Sequence, residues 1–113
     1  MGRARNLIEG GKRVIMKTNI INAIKSKRKV ELNYKGEGYR IVCPHAIYIS
    51  TIGNTLVDLY QLSGYSTHSE KIPDWRTFDI EKITALKILD DTFDVAPGYN
   101  PFSNKYSNAI AKI

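Results

Sequence analysis

Strict alternation of apolar and polar side chains constrains the fold of this chain more than any other feature. Over residues 29–34 it places Val30, Leu32 and Tyr34 on one side of an extended backbone and charged or amide side chains on the other. In a second run, residues 75–83, large apolar side chains also alternate with charged ones, and a short Asp-Ile-Glu-Lys turn at residues 79–82 separates its first part from the apolar run at residues 84–89. A period of two residues is typical of strands that bury one face of a sheet. The pattern predicts antiparallel strands joined by tight turns.

The residues between these two runs complete the predicted sheet. The glycines in residues 35–38 predict a hairpin turn, because glycine adopts positive φ at little cost. The next strand stops or bulges at Pro44, which has no N–H to donate to a ladder. Strands are predicted at residues 39–43, 45–50 and 55–62. Residues 63–74 are rich in Gly, Ser and Thr, which predicts an exposed loop.

The N-terminal part of the chain divides into a tail and a helix. Residues 1–17 contain five basic residues and two adjacent glycines, and they predict a flexible basic tail. Thr18 is a suitable helix cap, and the residues after it have helical spacing. The apolar face of this short helix comprises Ile20, Ile21 and Ile24.

The C-terminal residues also have helical spacing. Tyr106, Ala109, Ile110 and Ile113 recur at the interval of an amphipathic helix, so a short C-terminal helix is predicted. A chain of 113 residues closes a single core, and we assign one domain to residues 18–113. Five or six short strands with a short helix at each end predict a mainly β fold, a small antiparallel barrel.

Composition excludes several classes of protein. Hydrophobic residues make up 42% of the chain and charged residues 25%, which is typical of a folded globular protein. The apolar runs are too short for a membrane span, and no signal-peptide pattern is present. Cys43 is the only cysteine, so no intramolecular disulfide can form. These features predict a cytoplasmic protein with no membrane partner.

The net charge of +6 is concentrated at the front of the chain. Residues 1–35 carry ten basic and two acidic side chains, a net charge of +8, and the remainder carries −2. A basic region can steer a protein toward phosphates or an anionic surface. A solvated tail and helix end explain the same distribution equally well.

Residues suited to metal binding or nucleophilic catalysis are few. Cys43 and His45 share one face of an extended strand, and His68 lies beside serines in residues 63–69. No CxxC or HxxxH spacing and no oxyanion-hole motif accompanies them. We therefore predict no metal site, no cofactor and no enzymatic activity.

Aromatic and basic residues occur together in the strand-like segments. The chain has seven tyrosines and one tryptophan, and Arg40 and Arg76 lie among them. Rings stack on bases and arginines bind phosphates, so such a surface suits a nucleotide or single-stranded nucleic acid. Several tyrosines serve equally well as core residues of a small barrel: Tyr34, Tyr39, Tyr48 and Tyr60. Arg76, between Trp75 and Phe78, needs an anionic partner if it is buried, and Asp79, Glu81 or a ligand can supply it.

The strand segments together resemble a WYL domain. The resemblance rests on four segments: Val30–Tyr34, Tyr39–His45, Leu56–Gln61 and Trp75–Ile83. A helix, a strand ending in Tyr, a strand leading to Pro, a strand of aromatic and aliphatic residues and an Arg-x-Phe run follow in the family's order. The resemblance covers residues 20–93. The family's Trp-Tyr-Leu triplet is absent, and Thr55-Leu56-Val57 takes its place.

This resemblance implies both a fold and a role. WYL domains resemble Sm or SH3-like barrels and are associated with bacterial and phage-defence transcription regulators, in which they sense nucleic-acid or nucleotide ligands. The resemblance implies that Arg76 is the foremost pocket residue. The further ligand-binding residues that it implies are Arg40, Tyr34, Tyr60 and His45. Most relatives carry a winged helix in front, for which the residues before Thr18 are too few, so the chain resembles a stand-alone module.

Two functional hypotheses follow. The first is a non-enzymatic ligand-sensing or regulatory module that binds an anionic ligand, either single-stranded nucleic acid or a nucleotide. The second is a protein-interaction or homo-oligomerisation module with no nucleic-acid ligand, in which an open sheet edge or the C-terminal helix meets a partner.

Overall fold

One helix and six antiparallel strands make up the molecule, whose computed structural model describes residues 2–67 and 71–113. Helix α1 spans Gly2–Ser26. The strands are β1 (Arg28–Tyr34), β2 (Tyr39–Ile49), β3 (Thr55–Gly64), β4 (Asp74–Asp79), β5 (Ile83–Thr92) and β6 (Ala109–Lys112). Single turns of 3₁₀ helix lie at Ile80–Lys82 and Asn104–Tyr106. No helix in the described part of the chain has the length and apolarity needed to cross a membrane.

The strands form one sheet, in the order β4-β3-β2-β1-β5. The first part of β2 pairs with β1, as in Val30 opposite Val42, and its last part pairs with β6, as in Ala46 opposite Lys112. Within residues 2–67 and 71–113 no pairing joins β4 to β5, so the sheet is open. The predicted mainly β, antiparallel fold is confirmed, and the predicted closed barrel is not.

Pro44 lies inside one continuous strand. The register of β2 against β3 shifts between Pro44 and Ala46, and an irregular ladder accommodates a residue that has no N–H. Of the two alternatives predicted at Pro44, a stop and a bulge, the bulge is correct. The separate strand predicted at residues 45–50 is wrong.

Helix α1 begins at Gly2, so the predicted start at Thr18 is wrong. The helix takes in the segment that the sequence analysis assigned to a tail, including its two adjacent glycines. A glycine inside a helix costs only about 1 kcal/mol relative to alanine, which neighbouring residues can offset. Whether residues 1–17 are flexible stays a prediction, and so does the domain assignment to residues 18–113.

The C-terminal residues form a strand, so the predicted C-terminal helix is wrong. After the 3₁₀ turn, half-buried Ala109, Ala111 and Ile113 alternate with exposed residues, and β6 pairs with β2. In so short a segment the apolar positions fit both a helical and an extended period, and only the hydrogen-bonding partner decides between them.

The core lies between α1 and one face of the sheet. The predicted apolar face of the helix is confirmed, since Ile20 and Ile24 are fully buried and Ile21 is half buried. They pack against Val30, Leu32, Val42, Ile47, Val57, Leu59 and Phe78. Tyr48, the neighbour of Ile47, belongs to a second cluster with Ala46 and Tyr106. Because side chains alternate along a strand, this second cluster lies on the opposite face of the sheet.

Candidate functional site

A cavity of about 300 Å³ opens where β3 and β4 meet the chain that follows β5. Its walls include two cationic side chains, three aromatic rings and one buried carboxylate: Arg76, Lys105, Trp75, Tyr99, Tyr106 and Asp58. Charged and aromatic groups that converge on one concave surface are typical of small-molecule sites. This cavity is therefore the candidate functional site.

Asp58 is the most deeply buried charge in the cavity wall, with 2% of its surface exposed. It lies on β3 opposite Thr77 of β4. Its Oδ1 accepts hydrogen bonds from Tyr48 (2.9 Å) and Thr77 (2.8 Å). Its Oδ2 accepts one from Tyr106 (2.6 Å), and the Lys105 ammonium lies 2.7 Å away. The four partners satisfy the carboxylate, so Asp58 organises the cavity wall instead of presenting a free acceptor.

The hydrogen bonds decide the protonation of this cluster. Burial alone would raise the pKa of Asp58, but the donors Lys105, Tyr106, Thr77 and Tyr48 together lower it below its ordinary value. Burial and the neighbouring carboxylate raise the pKa of both Tyr48 and Tyr106. The carboxylate is thus ionised and both phenols are neutral donors at neutral pH.

Arg76 lies on β4, and only 12% of its side chain is exposed. Its Nη1 donates to the carbonyl oxygen of Trp75 (2.9 Å), and its Nη2 donates to that of Lys71 (2.7 Å). The carboxylate of Asp74 lies 4.0 Å from Nη1, at the outer limit of an ion pair. The backbone carbonyls fix the guanidinium in place. A fixed, planar cation of this kind suits phosphate recognition.

Lys105 supplies the second cationic group. Its side chain is 52% exposed, and its ammonium forms an ion pair with Asp58. The same ammonium lies over the ring of Tyr106, 5.2 Å from the ring centroid. An ammonium has three N–H donors, so its bond to Asp58 leaves donors directed to solvent.

Trp75 and Tyr99 form the aromatic wall. Their ring centroids are 6.2 Å apart and their planes differ by 26°. The indole Nε1 of Trp75 donates to the carbonyl oxygen of Pro97 (2.8 Å), and the hydroxyl of Tyr99 donates to that of Ile113 (2.9 Å). Both rings are therefore held at their polar atoms and keep a defined orientation.

His45 joins the aromatic wall to the sheet and has no exposed surface. Its Nδ1 lies 2.8 Å from the carbonyl oxygen of Cys43, and the amide N–H of Ala96 donates to its Nε2 (3.0 Å). A carbonyl only accepts and an amide N–H only donates, so the ring is neutral with its proton on Nδ1. Burial lowers its pKa, which the hydrogen bond to Cys43 and the charge of Asp58 only partly offset.

Tyr60, another residue implied by the resemblance, lies next to the cavity. Its ring meets that of Trp75 edge to face, with centroids 5.4 Å apart. It lines a shallower cavity of about 400 Å³ together with Cys43, Phe93 and Lys29. Trp75 and Tyr60 therefore separate two adjoining concave surfaces.

Arg40 and Tyr34 lie together in a different part of the molecule. Arg40 is 5% exposed, donates to Gln61 (3.1 Å), and lies over the rings of Phe78 and Tyr65, 4.8 and 5.3 Å from their centroids. Tyr34 stacks on Phe78 with centroids 3.9 Å apart. Neither residue lines the 300 Å³ cavity. The structure thus groups Arg76, His45 and Tyr60 around Trp75 and separates them from Arg40 and Tyr34, and the ligand-binding role of all five stays a prediction.

Cys43 and the histidines have no metal-binding arrangement in the described part of the chain, where no group of three or more His, Cys, Asp or Glu side chains comes together. Burial raises the pKa of Cys43 to about 11, so its thiol is protonated at neutral pH. His68, named above as a candidate beside the serines of its loop, lies outside the described residues.

Sequence reasoning missed Asp58, Lys105 and Tyr99. One signal was present, because Asp58 is the only charged residue within the apolar run Leu56–Leu59, and a charge in a buried strand requires partners. Lys105 and Tyr99 gave no comparable signal, since the turns that carry them have no period. Comparison of the chain with protein-family models, with curated proteins and with solved structures found no match.

Proposed function

We propose that this chain is a non-enzymatic binding module for an anionic ligand with an aromatic ring, a nucleotide or one nucleotide unit of a single strand. The observation that carries the proposal is the position of Arg76 and Lys105 in one cavity with Trp75 and Tyr99. Arginine and lysine bind phosphate, and aromatic rings stack on bases. The resemblance to a WYL domain, and the SH3-like form and regulatory role that it implies, belong to this proposal.

The size of the cavity supports one ligand unit. At about 300 Å³ it lies at the lower end of the range for small-molecule sites. A base inserted between two rings contacts both of them, which requires ring centroids about 7 Å apart. The centroids of Trp75 and Tyr99 are only 6.2 Å apart. A base would therefore stack on the outer face of one ring and would not insert between them.

The charges of the site support an anion. Two cationic side chains, Arg76 and Lys105, line the cavity together with the carboxylate of Asp58. Contacts to phosphate displace condensed counterions, so affinity for single strands should fall as salt concentration rises.

Trp75 provides a direct test, because it is the only tryptophan in the chain and lines the cavity. We would titrate the protein with a single-stranded oligonucleotide, with AMP and with inorganic phosphate, at low and moderate salt. Trp75 emission reports on the cavity, and anisotropy of a labelled oligonucleotide gives the affinity. We expect binding that quenches Trp75 and weakens with salt.

Arg76→Gln should weaken this binding about tenfold or more, because a hydrogen bond to a charged group contributes about 1.5–3 kcal/mol. Lys87→Gln is the matched control, since Lys87 is exposed on β5 outside the cavity. Circular dichroism must show that both variants fold. Equal binding by the two variants, or no binding by the wild type, would contradict the proposal.

The alternative is homo-oligomerisation, which one observation favours. Strands β4 and β5 end the sheet, and open edge strands can pair with a second chain. Light scattering at several protein concentrations distinguishes the two functions. A dimer that persists at high salt, with no quenching of Trp75 by nucleotides, would favour assembly.

A further inference from the structure

The closing segment, which we define as residues 93–100, forms one wall of the cavity and lies between β5 and the last 3₁₀ turn. Its Gly98, Tyr99 and Asn100 line the cavity. The cavity therefore keeps its shape only while this segment stays against the sheet.

Side chains hold the middle of the closing segment. The amide of Ala96 donates to His45 Nε2 (3.0 Å), and the carbonyl of Pro97 accepts from Trp75 (2.8 Å). The ring of His45 also contacts those of Phe93 and Tyr99, with centroid distances of 5.1 Å for both. His45 is thus in contact with the segment at three residues.

Only neutral His45 can make this attachment. An imidazolium carries N–H on both nitrogens, so its Nε2 would direct a donor at the Ala96 donor, and the hydrogen bond would become a repulsive contact. The positive charge would also be enclosed by the rings of Trp75, Phe93 and Tyr99, where water cannot solvate it.

We infer that protonation of His45 releases the closing segment from the sheet and opens the cavity, so that mild acid weakens ligand binding. The ligand part of this inference rests on the proposed function, and the opening itself does not. Burial lowers the pKa of His45 from its ordinary value of 6.5. A released imidazole regains that ordinary value, so opening becomes increasingly favourable as pH falls below about 6.5.

Other ionisable groups lie on the elements around His45. They are Cys43 on β2, Asp58 on β3, Asp74 and Arg76 on β4, Asp94 and Tyr99 in the closing segment, and Lys112 on β6. Of these, the Asp58 carboxylate favours protonation of His45. The pKa of Asp58 itself lies below its ordinary value of 3.8, so this carboxylate stays ionised throughout the relevant range and does not produce the transition.

Amide hydrogen exchange in the wild-type chain tests the opening without any ligand. We would compare the protection factor of the Ala96 amide with that of Ile47, a buried residue of β2, at pH values from about 8 to about 5. We expect Ala96 to lose at least tenfold more protection than Ile47 on acidification. Parallel loss at both amides would indicate global unfolding and overturn the inference, and so would unchanged protection of Ala96.

His45→Gln provides the second arm, because its side-chain carbonyl can accept from Ala96 but cannot titrate. We expect its Ala96 protection to be independent of pH over the same range. His68→Gln is the control that removes the other histidine in the chain, and it should keep the wild-type response. If His68→Gln abolishes the response, the inference is wrong.

Ligand titrations at the same pH values separate this inference from the proposed function. Oligonucleotide binding that weakens at least tenfold between pH about 7.5 and about 5.5 in wild type, but not in His45→Gln, would support both. Selective loss of protection at Ala96, with no binding of oligonucleotide, AMP or phosphate at any pH, would support the opening of the closing segment and contradict the proposed function. Ligand binding that does not change with pH would overturn the inference that acid opens the cavity, and it would leave the proposed function standing.

Discussion

The hydroxyl of Tyr106 donates a 2.6 Å hydrogen bond to the carboxylate of Asp58, across 48 positions of sequence. It connects the last 3₁₀ turn to an interior strand of the sheet. Tyr48 and Thr77 donate to the same carboxylate. A single charged side chain therefore fixes two neighbouring strands and the C-terminal turn relative to one another, and it shapes the cavity between them.

Asp58→Asn should destabilise the protein by about 2–4 kcal/mol, because hydroxyl donors buried around the carboxylate would lose their acceptors, each at a cost of about 1–3 kcal/mol. The amide has one acceptor oxygen, so its nitrogen would face donors that the carboxylate now satisfies. Urea unfolding monitored by circular dichroism measures the change. Asp91→Asn, at an exposed position of β5, is the control and should differ from wild type by less than about 0.5 kcal/mol. Equal stability of the two variants would contradict this role.

Asp58 should also make stability depend on pH in acid. Its pKa is lower in the folded protein than its ordinary value of 3.8, so the unfolded chain binds the proton more tightly. The contribution is fully present above pH 3.8 and is lost as pH falls through the folded pKa. We expect the urea midpoint of the wild type to fall between pH about 5 and about 2.5 more steeply than that of Asp58→Asn. If the urea midpoints of the two proteins fall in parallel, groups other than Asp58 cause the loss of stability in acid.

The sheet could be predicted from local patterns because each strand buries one or both faces. Val30 and Leu32 alternate with half-buried residues and are buried as predicted. The turn at residues 79–82 is confirmed as a 3₁₀ turn that Asp79 caps by accepting a hydrogen bond from the amide of Glu81 (3.0 Å). These features depend on neighbours in sequence, which is why the sequence contains their signal.

The errors lie where partners distant in sequence decide the structure. β6 is a strand because β2 offers it an edge beyond β1, and nothing within residues 106–113 records that edge. The site has the same limitation. Arg76 could be singled out from its own segment, but Lys105 and Tyr99 reach the cavity through turns that Asp58 and His45 hold in place. His45 does not line this cavity, and its ligand-binding role stays a prediction.

Gly64→Ala should be strongly destabilising. Gly64 has φ +100°, and a methyl group there would overlap the backbone of Tyr39 and lie 2.7 Å from the Cα of Arg40. We expect a loss of about 3 kcal/mol, from backbone strain and overpacking together. Gly36→Ala is the matched control, because Gly36 also has a positive φ but no atom would lie within 4 Å of the added methyl. Chemical denaturation should give a loss of only about 1 kcal/mol there. Equal losses of stability in the two variants would mean that β2 does not pack closely enough against Gly64 to exclude a methyl group.

Cys43 should react slowly with thiol reagents in the folded protein. Only 2% of its surface is exposed, and burial raises its pKa to about 11 from 9.0. The thiolate is the reactive form, so a rise of about two pH units lowers the reactive fraction at pH 8 about a hundredfold. We would compare the rate of Ellman's reagent with native protein, urea-unfolded protein and N-acetylcysteine. The native rate should be at least a hundredfold below the other two. Because Cys43 borders the 400 Å³ cavity, a native rate equal to the unfolded rate would instead mean that this cavity opens far enough to admit the reagent.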